Sequence, residues 1–182
     1  DSVFRYAPDG TQELQISDVN KFVRGINVDS SGLVYVGANE SRDIRIFDAA
    51  GVLVDTWVNV GDTSGLGTIT PDDRIFIEVG RFVKEFDTAG VEQMSFGGSS
   101  VFSDISDIAV GPDGAIYVTD TGKATLQKFG PDGTFIFEIG GFGSGPGQFR
   151  SPQSVDVDSA GNLYVSDRRN FRVQKFSSDG VF

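Results

Sequence analysis

The 182-residue sequence contains no cysteine and no histidine. Without cysteine there is no disulfide framework, thiolate nucleophile or thiolate-held metal, and the redox compartment stays open. Without histidine the usual general base, the Ser-His pair of hydrolytic triads and the commonest zinc ligand are all missing. Carboxylate, amide and backbone oxygens remain, a ligand set suited to Ca²⁺ or Mg²⁺ and not to transition metals. Long apolar runs are missing too: none approaches the ~18 residues of a membrane-spanning helix. The chain starts on a strand-like segment, Val3–Tyr6, with no basic and apolar leader before it. Only five of the 15 bases are Lys and only six of the 26 acids are Glu, for a net charge of −11. Such acidity is a poor starting point for binding nucleic acid. The Asp excess suits turn chemistry, which favours Asp over Glu. Low Lys with high Asp also suits a salt-adapted or exported protein.

The sequence does have enough apolar material for a core, 38% of residues with 16 Phe, and a repeat. Tyr35-Val36, Phe76-Ile77, Tyr117-Val118 and Tyr164-Val165 each follow a turn. Those turns are anchored at Gly32, Asp73, Gly114 and Gly161, spaced 41, 41 and 47 residues apart. A second turn recurs in step at Asp9-Gly10, Ala50-Gly51, Ala89-Gly90, Asp132-Gly133 and Asp179-Gly180. A period in this range with two turns per unit marks a repeat array.

Each unit reads as four short strands, a to d, in an antiparallel meander. In the last unit a is Ser154–Val157, b is Asn162–Ser166 and c is Arg172–Phe176; d is clearest one unit earlier, at Thr134–Ile139. Strand c places an aliphatic residue three before an aromatic one: Val3/Tyr6, Ile44/Phe47, Val83/Phe86, Leu126/Phe129 and Val173/Phe176. On a strand this spacing sends the two side chains to opposite faces, so both faces need cover, as in radially stacked sheets. The units run approximately 1–16, 17–62, 63–98, 99–142 and 143–182, within one domain. The first supplies only c and d, and the last stops where d should run. The expectation is an open array, completed by further residues, another chain or a homo-oligomeric contact, because bare sheet edges are normally covered.

Gly143-Ser-Gly-Pro-Gly-Gln-Phe149, Ser151-Pro152, Ser154-Val-Asp-Val-Asp158, Gly161-Asn-Leu-Tyr-Val165, Asp167, Asn170 and Arg172-Val-Gln-Lys-Phe176 closely resemble the NHL repeat. Asp107-Ile-Ala-Val110, Gly114, Ile116-Tyr-Val-Thr-Asp120 and Leu126-Gln-Lys-Phe129 are a partial match, without the Gly-rich lead-in or the Asn-x-Arg. Earlier units match less well. The resemblance implies an all-β fold, a propeller of roughly six four-stranded blades, of which this chain holds an incomplete segment of about four to four and a half. It also implies a non-enzymatic module that binds protein or carbohydrate, extracellular or periplasmic. The alternative it suggests is an exported propeller lyase or lactonase with a Ca²⁺-type ion on the central axis.

The candidate residues follow. Gly140–Gly147 is rich in glycine but lacks the Lys-Ser/Thr ending of a phosphate loop, so it reads as a connection between blades. Asp120 and Asp167 end strand b in the two best repeats, as catalytic carboxylates or as anchors for the b–c loop. Asn27 and Asp156 sit at equivalent positions on strand a with Thr68 and Ala109, as hydrated polar groups or as weak cation ligands; no other cofactor is expected. Tracing the meander puts the a–b and c–d turns, with ten Asp, at one end of each sheet. The b–c and d–a loops fall at the other end, with Glu40, Asp62, Asp104 and Asp107 among their bases. Variable loops on a regular scaffold carry binding. The binding candidates are therefore Arg42, Arg81, Lys123, Gln148, Arg150, Arg168, Arg169 and Phe171. A nucleic-acid partner and membrane insertion are not expected.

Overall fold

Short runs of Val, Ile, Phe and Tyr bracketed by Asp-Gly turns fold here as strands. The computed structural model describes residues 2–17, 19, 23–38, 43–58, 60 and 66–182. A two-stranded sheet comes first, β1 (Ser2–Tyr6) and β2 (Gln12–Ser17). Three four-stranded sheets follow. The first holds β3 (Val23–Val28), β4 (Val34–Ala38), β5 (Ile44–Phe47) and β6 (Leu53–Trp57). The next holds β7 (Leu66–Ile69), β8 (Ile75–Val79), β9 (Phe82–Phe86) and β10 (Glu92–Gly97). The third holds β11 (Ile105–Val110), β12 (Ile116–Asp120), β13 (Thr125–Phe129) and β14 (Phe135–Gly140). The last sheet has three strands, β15 (Pro152–Val157), β16 (Leu163–Asp167) and β17 (Arg172–Phe176). Within each sheet the strands lie in sequence order, so the chain is all-β, a meander repeated. The sequence reading contained no helix; the structure adds one 3₁₀ turn, Arg168–Asn170.

The chain divides into two compact units, residues 1–79 with 86–91, and residues 80–85 with 92–182. In the first unit, Tyr35, Ile44, Ile46, Trp57, Ile75, Ile77 and Phe86 form one buried cluster. Trp57 stands edge-on to Tyr35, with ring centroids 5.6 Å apart. In the second unit the core gathers Tyr117, Leu126, Phe149, Leu163, Val165 and Phe176. The strand-c pairs Ile44/Phe47, Val83/Phe86 and Leu126/Phe129 are buried on both faces, as their spacing requires. Two pairs depart from it: Tyr6 is 56% and Val173 65% exposed. Opposite faces need cover on each side, and among the described residues these two side chains face solvent.

Several of the repeated turns share one device. Asp48 Oδ1 accepts the N–H groups of Ala50 and Val52, both at 2.9 Å. Asp87 and Asp158 accept the corresponding pairs, Ala89 with Val91 and Ala160 with Asn162. The side chain thereby closes the turn that the following glycine, in left-handed conformation, completes. Where Thr70 replaces Asp, its hydroxyl accepts the Arg74 N–H at 3.0 Å. The Asp excess is thus consumed locally, as turn chemistry.

The blade connections use glycine differently. At Gly140 φ is +118°, and a Cβ there would lie 2.7 Å from the Ala124 carbonyl and 2.8 Å from the Phe149 ring. Gly97 repeats this against the Arg81 carbonyl and Phe102. Only glycine lets the connection approach the preceding strand closely enough to seat the buried phenylalanine. Gly140→Ala is expected to cost about 2–4 kcal/mol, combining backbone strain with overpacking. Gly10→Ala, at φ +86° with open space around it, should cost only about 1 kcal/mol. Urea denaturation midpoints of the two variants check the ranking.

Candidate functional site

The loop end of the last sheet is built on Asp167. This residue ends β16 and has no exposed surface. Its Oδ1 accepts the Arg150 N–H at 2.9 Å and the Ser151 N–H at 3.1 Å. Its Oδ2 accepts the Asn170 amide at 2.6 Å and lies 3.4 Å from Arg172 Nε, an ion pair without hydrogen-bond alignment. Burial acts to raise the Asp167 pKa. The N–H bonds from Arg150, Asn170 and Ser151, with the Arg172 charge, outweigh it and hold the carboxyl below its ordinary value. Asp120 occupies the corresponding position one repeat earlier and accepts the N–H groups of Ser103, Asp104 and Lys123. Both carboxylates therefore anchor loops, the second of the two roles the sequence offered.

The Gly-rich lead-in is held from the same side. Asn170 Nδ2 donates to the Gly143 carbonyl, and Arg172 donates to those of Ser144, Gly145 and Gln148. Gln174 accepts the Gly147 N–H and donates to the Gln148 carbonyl. This explains why the fourth unit lacks the lead-in and the Asn-x-Arg together. Without the long glycine connection there are no carbonyls for those side chains to hold.

On this base four of the predicted residues come together. Arg150, Arg168, Arg169 and Phe171 line an open cleft of about 540 Å³, joined by Phe142. Phe142 and Phe171 are 73% and 95% exposed. The Arg150 guanidinium stands 6.0 Å from the Phe142 ring centre. Among the described residues none of the three arginines forms an ion pair. Phe171 adopts φ +54°, a left-handed conformation that is unusual for a bulky side chain. Its N–H is tied to the Arg168 carbonyl. The sequence reading missed Phe142, which sits among glycines taken for a connection alone. The exposed Phe between Gly141 and Gly143 was the available signal.

The other candidates lie apart from the cleft. Gln148 turns into its own loop, where Oε1 accepts the Gly145 N–H at 3.0 Å. Lys123 reaches Glu138 at 3.9 Å. Arg81 donates from Nε to the Ser103 carbonyl at 3.0 Å. Arg42 lies outside the described residues, as do Glu40 and Asp62.

The strand-a candidates are engaged in the sheets. Asn27, in the first unit, donates to the Gly67 carbonyl at 3.2 Å. Asp156, in the second, accepts its neighbour's N–H from Val157 at 2.8 Å. No three acidic side chains gather as a metal-binding group among the described residues. Asp107 was read from the sequence as a loop charge. It is instead a strand residue on β11 whose Oδ2 accepts the Val155 N–H at 3.1 Å. Burial, reinforced by nearby Asp156, pushes its carboxyl up to about 6.

The repeated four-stranded meander is that of a β-propeller, and two of its repeats are NHL repeats. The NHL repeat model matches residues 102–129 and 149–176. Each match opens on a buried Phe, Phe102 or Phe149, and closes on the aromatic end of strand c. No curated protein matches the sequence. Among solved structures, virginiamycin B lyase from Staphylococcus aureus superposes with a TM-score of 0.73 at 15% identity, over 97% of this chain and 62% of that one. A catalytically inactive histidine-to-alanine variant of that lyase, solved with quinupristin, gives 0.73 at 16% identity, with 97% and 62% covered. A gluconolactonase from Xanthomonas campestris gives 0.70 at 21%, over 99% of this chain and 66% of that one. At these identities the likeness is one of fold. The chain spans about three fifths of the length of the lyase.

Two outcomes follow. Asp167→Ala, which strands buried N–H donors, should cost about 2–4 kcal/mol and disorder the Arg150 and Arg168 loops, read as lost amide-exchange protection at Arg150 and Ser151. The wild-type contribution of this depressed carboxyl is present above the ordinary Asp value and fades as pH falls through its lower folded value. Asp107 has the opposite sign. Its folded pKa is raised, so the folded protein holds the proton more firmly and the associated stability fades as pH rises from about 4 through about 6. Carbon-13 carboxyl titration should find the Asp107 midpoint near 6.

Proposed function

We propose that this chain is a non-enzymatic binding module that engages its partner through the loop cleft of Arg150, Arg168, Arg169, Phe142 and Phe171. The single observation that carries the reading is the gathering into one cleft of two exposed phenylalanines and three arginines that form no ion pair among the described residues. In a chain of net charge −11, such a cluster is not the default surface. Arg and aromatic residues are also the types that dominate binding hot spots. The cleft is carried by backbone held on Asp167, so little ordering cost remains to be met on binding.

A lyase or lactonase reading draws its support from the fold of the solved relatives. Against it, the lyase variant lacking one histidine is catalytically inactive, and these 182 residues hold no histidine at all. Fold alone does not carry activity. Partners completing the array, and an extracellular or periplasmic setting, remain part of the proposal.

The test is affinity capture with the purified chain. Partner recovery should fall at least tenfold with Arg168→Ala/Arg169→Ala, and thermal stability should hardly change, because exposed loop charges contribute little to folding. Asp48→Ala/Asp87→Ala, in the turns at the other end of the sheets, should leave recovery intact. Loss of recovery in the turn variant alone, in a still-folded protein, would put the binding surface elsewhere.

A further inference from the structure

We infer that the cleft takes an acidic peptide segment, with carboxylates on Arg150, Arg168 and Arg169 and an apolar side chain between Phe142 and Phe171. This rests on the reading of the cleft as the binding site and names its ligand class. Three features of the lining carry it.

First, the cleft's charged groups are guanidinium groups alone. A guanidinium donates through a planar fork that matches a carboxylate in two parallel bonds. The lining contains no carboxylate to accept from the hydroxyls of a neutral sugar, and no side-chain amide to both accept from and donate to them. Of the amides nearby, Gln148 is occupied with the Gly145 N–H and Asn170 with Asp167 and the Gly143 carbonyl.

Second, the cleft carries apolar surface beside its charge, the Arg150 guanidinium standing 6.0 Å from the Phe142 ring centre. Phe171 projects from the end of the 3₁₀ turn that carries Arg168 and Arg169. Phe142 comes from the glycine connection, bridged to buried Phe149 in a parallel pair. Two exposed rings flanking cationic groups match an extended segment that alternates acidic and apolar side chains. A uniformly charged polyanion would leave both rings uncovered.

Third, the backbone is preset. Arg150 donates its N–H to Asp167, Arg168 donates its N–H to the Ser151 carbonyl, and Phe149 donates its N–H to the Gly141 carbonyl. The left-handed φ of Phe171 is a conformation that costs free energy, of the kind that concentrates at binding sites. Holding an aromatic ring there, 95% exposed, brings the folded chain no packing in return.

The experiment titrates the ¹⁵N-labelled chain with three probes: a capped Glu-Glu-Leu-Phe-Glu-Glu peptide, a capped hexaglutamate and an oligogalacturonate of similar charge. The Leu-Phe peptide is expected to bind most tightly. It should shift the amides of Phe142, Arg150 and Arg168 to Phe171, and weaken as salt screens the charges. Arg168→Ala/Arg169→Ala should reduce its affinity at least tenfold. Phe171→Gly, which keeps the left-handed backbone and removes the ring, should reduce it at least threefold while leaving hexaglutamate unaffected. If oligogalacturonate binds the cleft and the peptides do not, the ligand class is wrong and the site stands. If the Leu-Phe peptide shifts only amides outside the cleft, the site is wrong as well. Equal binding of both peptides, or binding of none of the probes, overturns the inference.

Discussion

A single buried carboxylate at the end of strand b organises the loop end of the second unit. Asp167 gathers the N–H groups of Arg150 and Ser151, the Asn170 amide and the Arg172 charge around one point with no exposed surface. Four partners on one carboxylate fix the start of strand a relative to the b–c loop. Because buried donors cannot be left unpaired without large cost, the connection has one conformation available to it. Asp120 performs the same function with three backbone donors. The two units matching the NHL model are the two that have this residue.

The consequences run outward from that point. Fixing Ser151 and Arg150 places Phe149 in the core, where it meets Phe176 with ring centroids 5.8 Å apart. Fixing Asn170 and Arg172 places their side chains on the carbonyls of the glycine connection. The arginines left on the outside, Arg150, Arg168 and Arg169, then have fixed backbone and, among the described residues, no ion-pair partner. A recognition surface benefits from such a backbone, because presetting it lowers the ordering cost of binding. The acidic residues do not compete for these cations, since the turn Asp at the opposite end of each sheet already serve backbone N–H groups.

Much of the fold was legible in advance. The period, the turn anchors and the aliphatic–aromatic spacing of strand c are local properties, and local hydrogen bonds and strand alternation translate them into sheets without long-range information. The Asp167 and Asp120 anchoring was one of two readings available, because repetition at equivalent positions favours scaffolding. The cleft was partly legible: Arg150, Arg168, Arg169 and Phe171 fall in loops that the meander places at one end. Phe142 was hidden by its glycine neighbours. Gln148, Lys123 and Arg81 looked equivalent to the true cleft residues, but each turns to a partner of its own.

The sequence by itself determined the strand count, the meander order and the turn chemistry, because each depends on residues within about a dozen positions of one another. It also excluded thiol and imidazole chemistry from these residues outright. Only the tertiary structure decided which polar side chains remain free. Asp107 reads as a loop charge in one dimension and becomes a half-buried carboxyl, because a strand of the next repeat supplies the Val155 N–H. Arg81 and Arg168 are both loop arginines in the sequence, yet one donates to a carbonyl 22 positions away and the other opens onto a cleft. Such assignments depend on which segments fold back against one another, and residue type does not encode that.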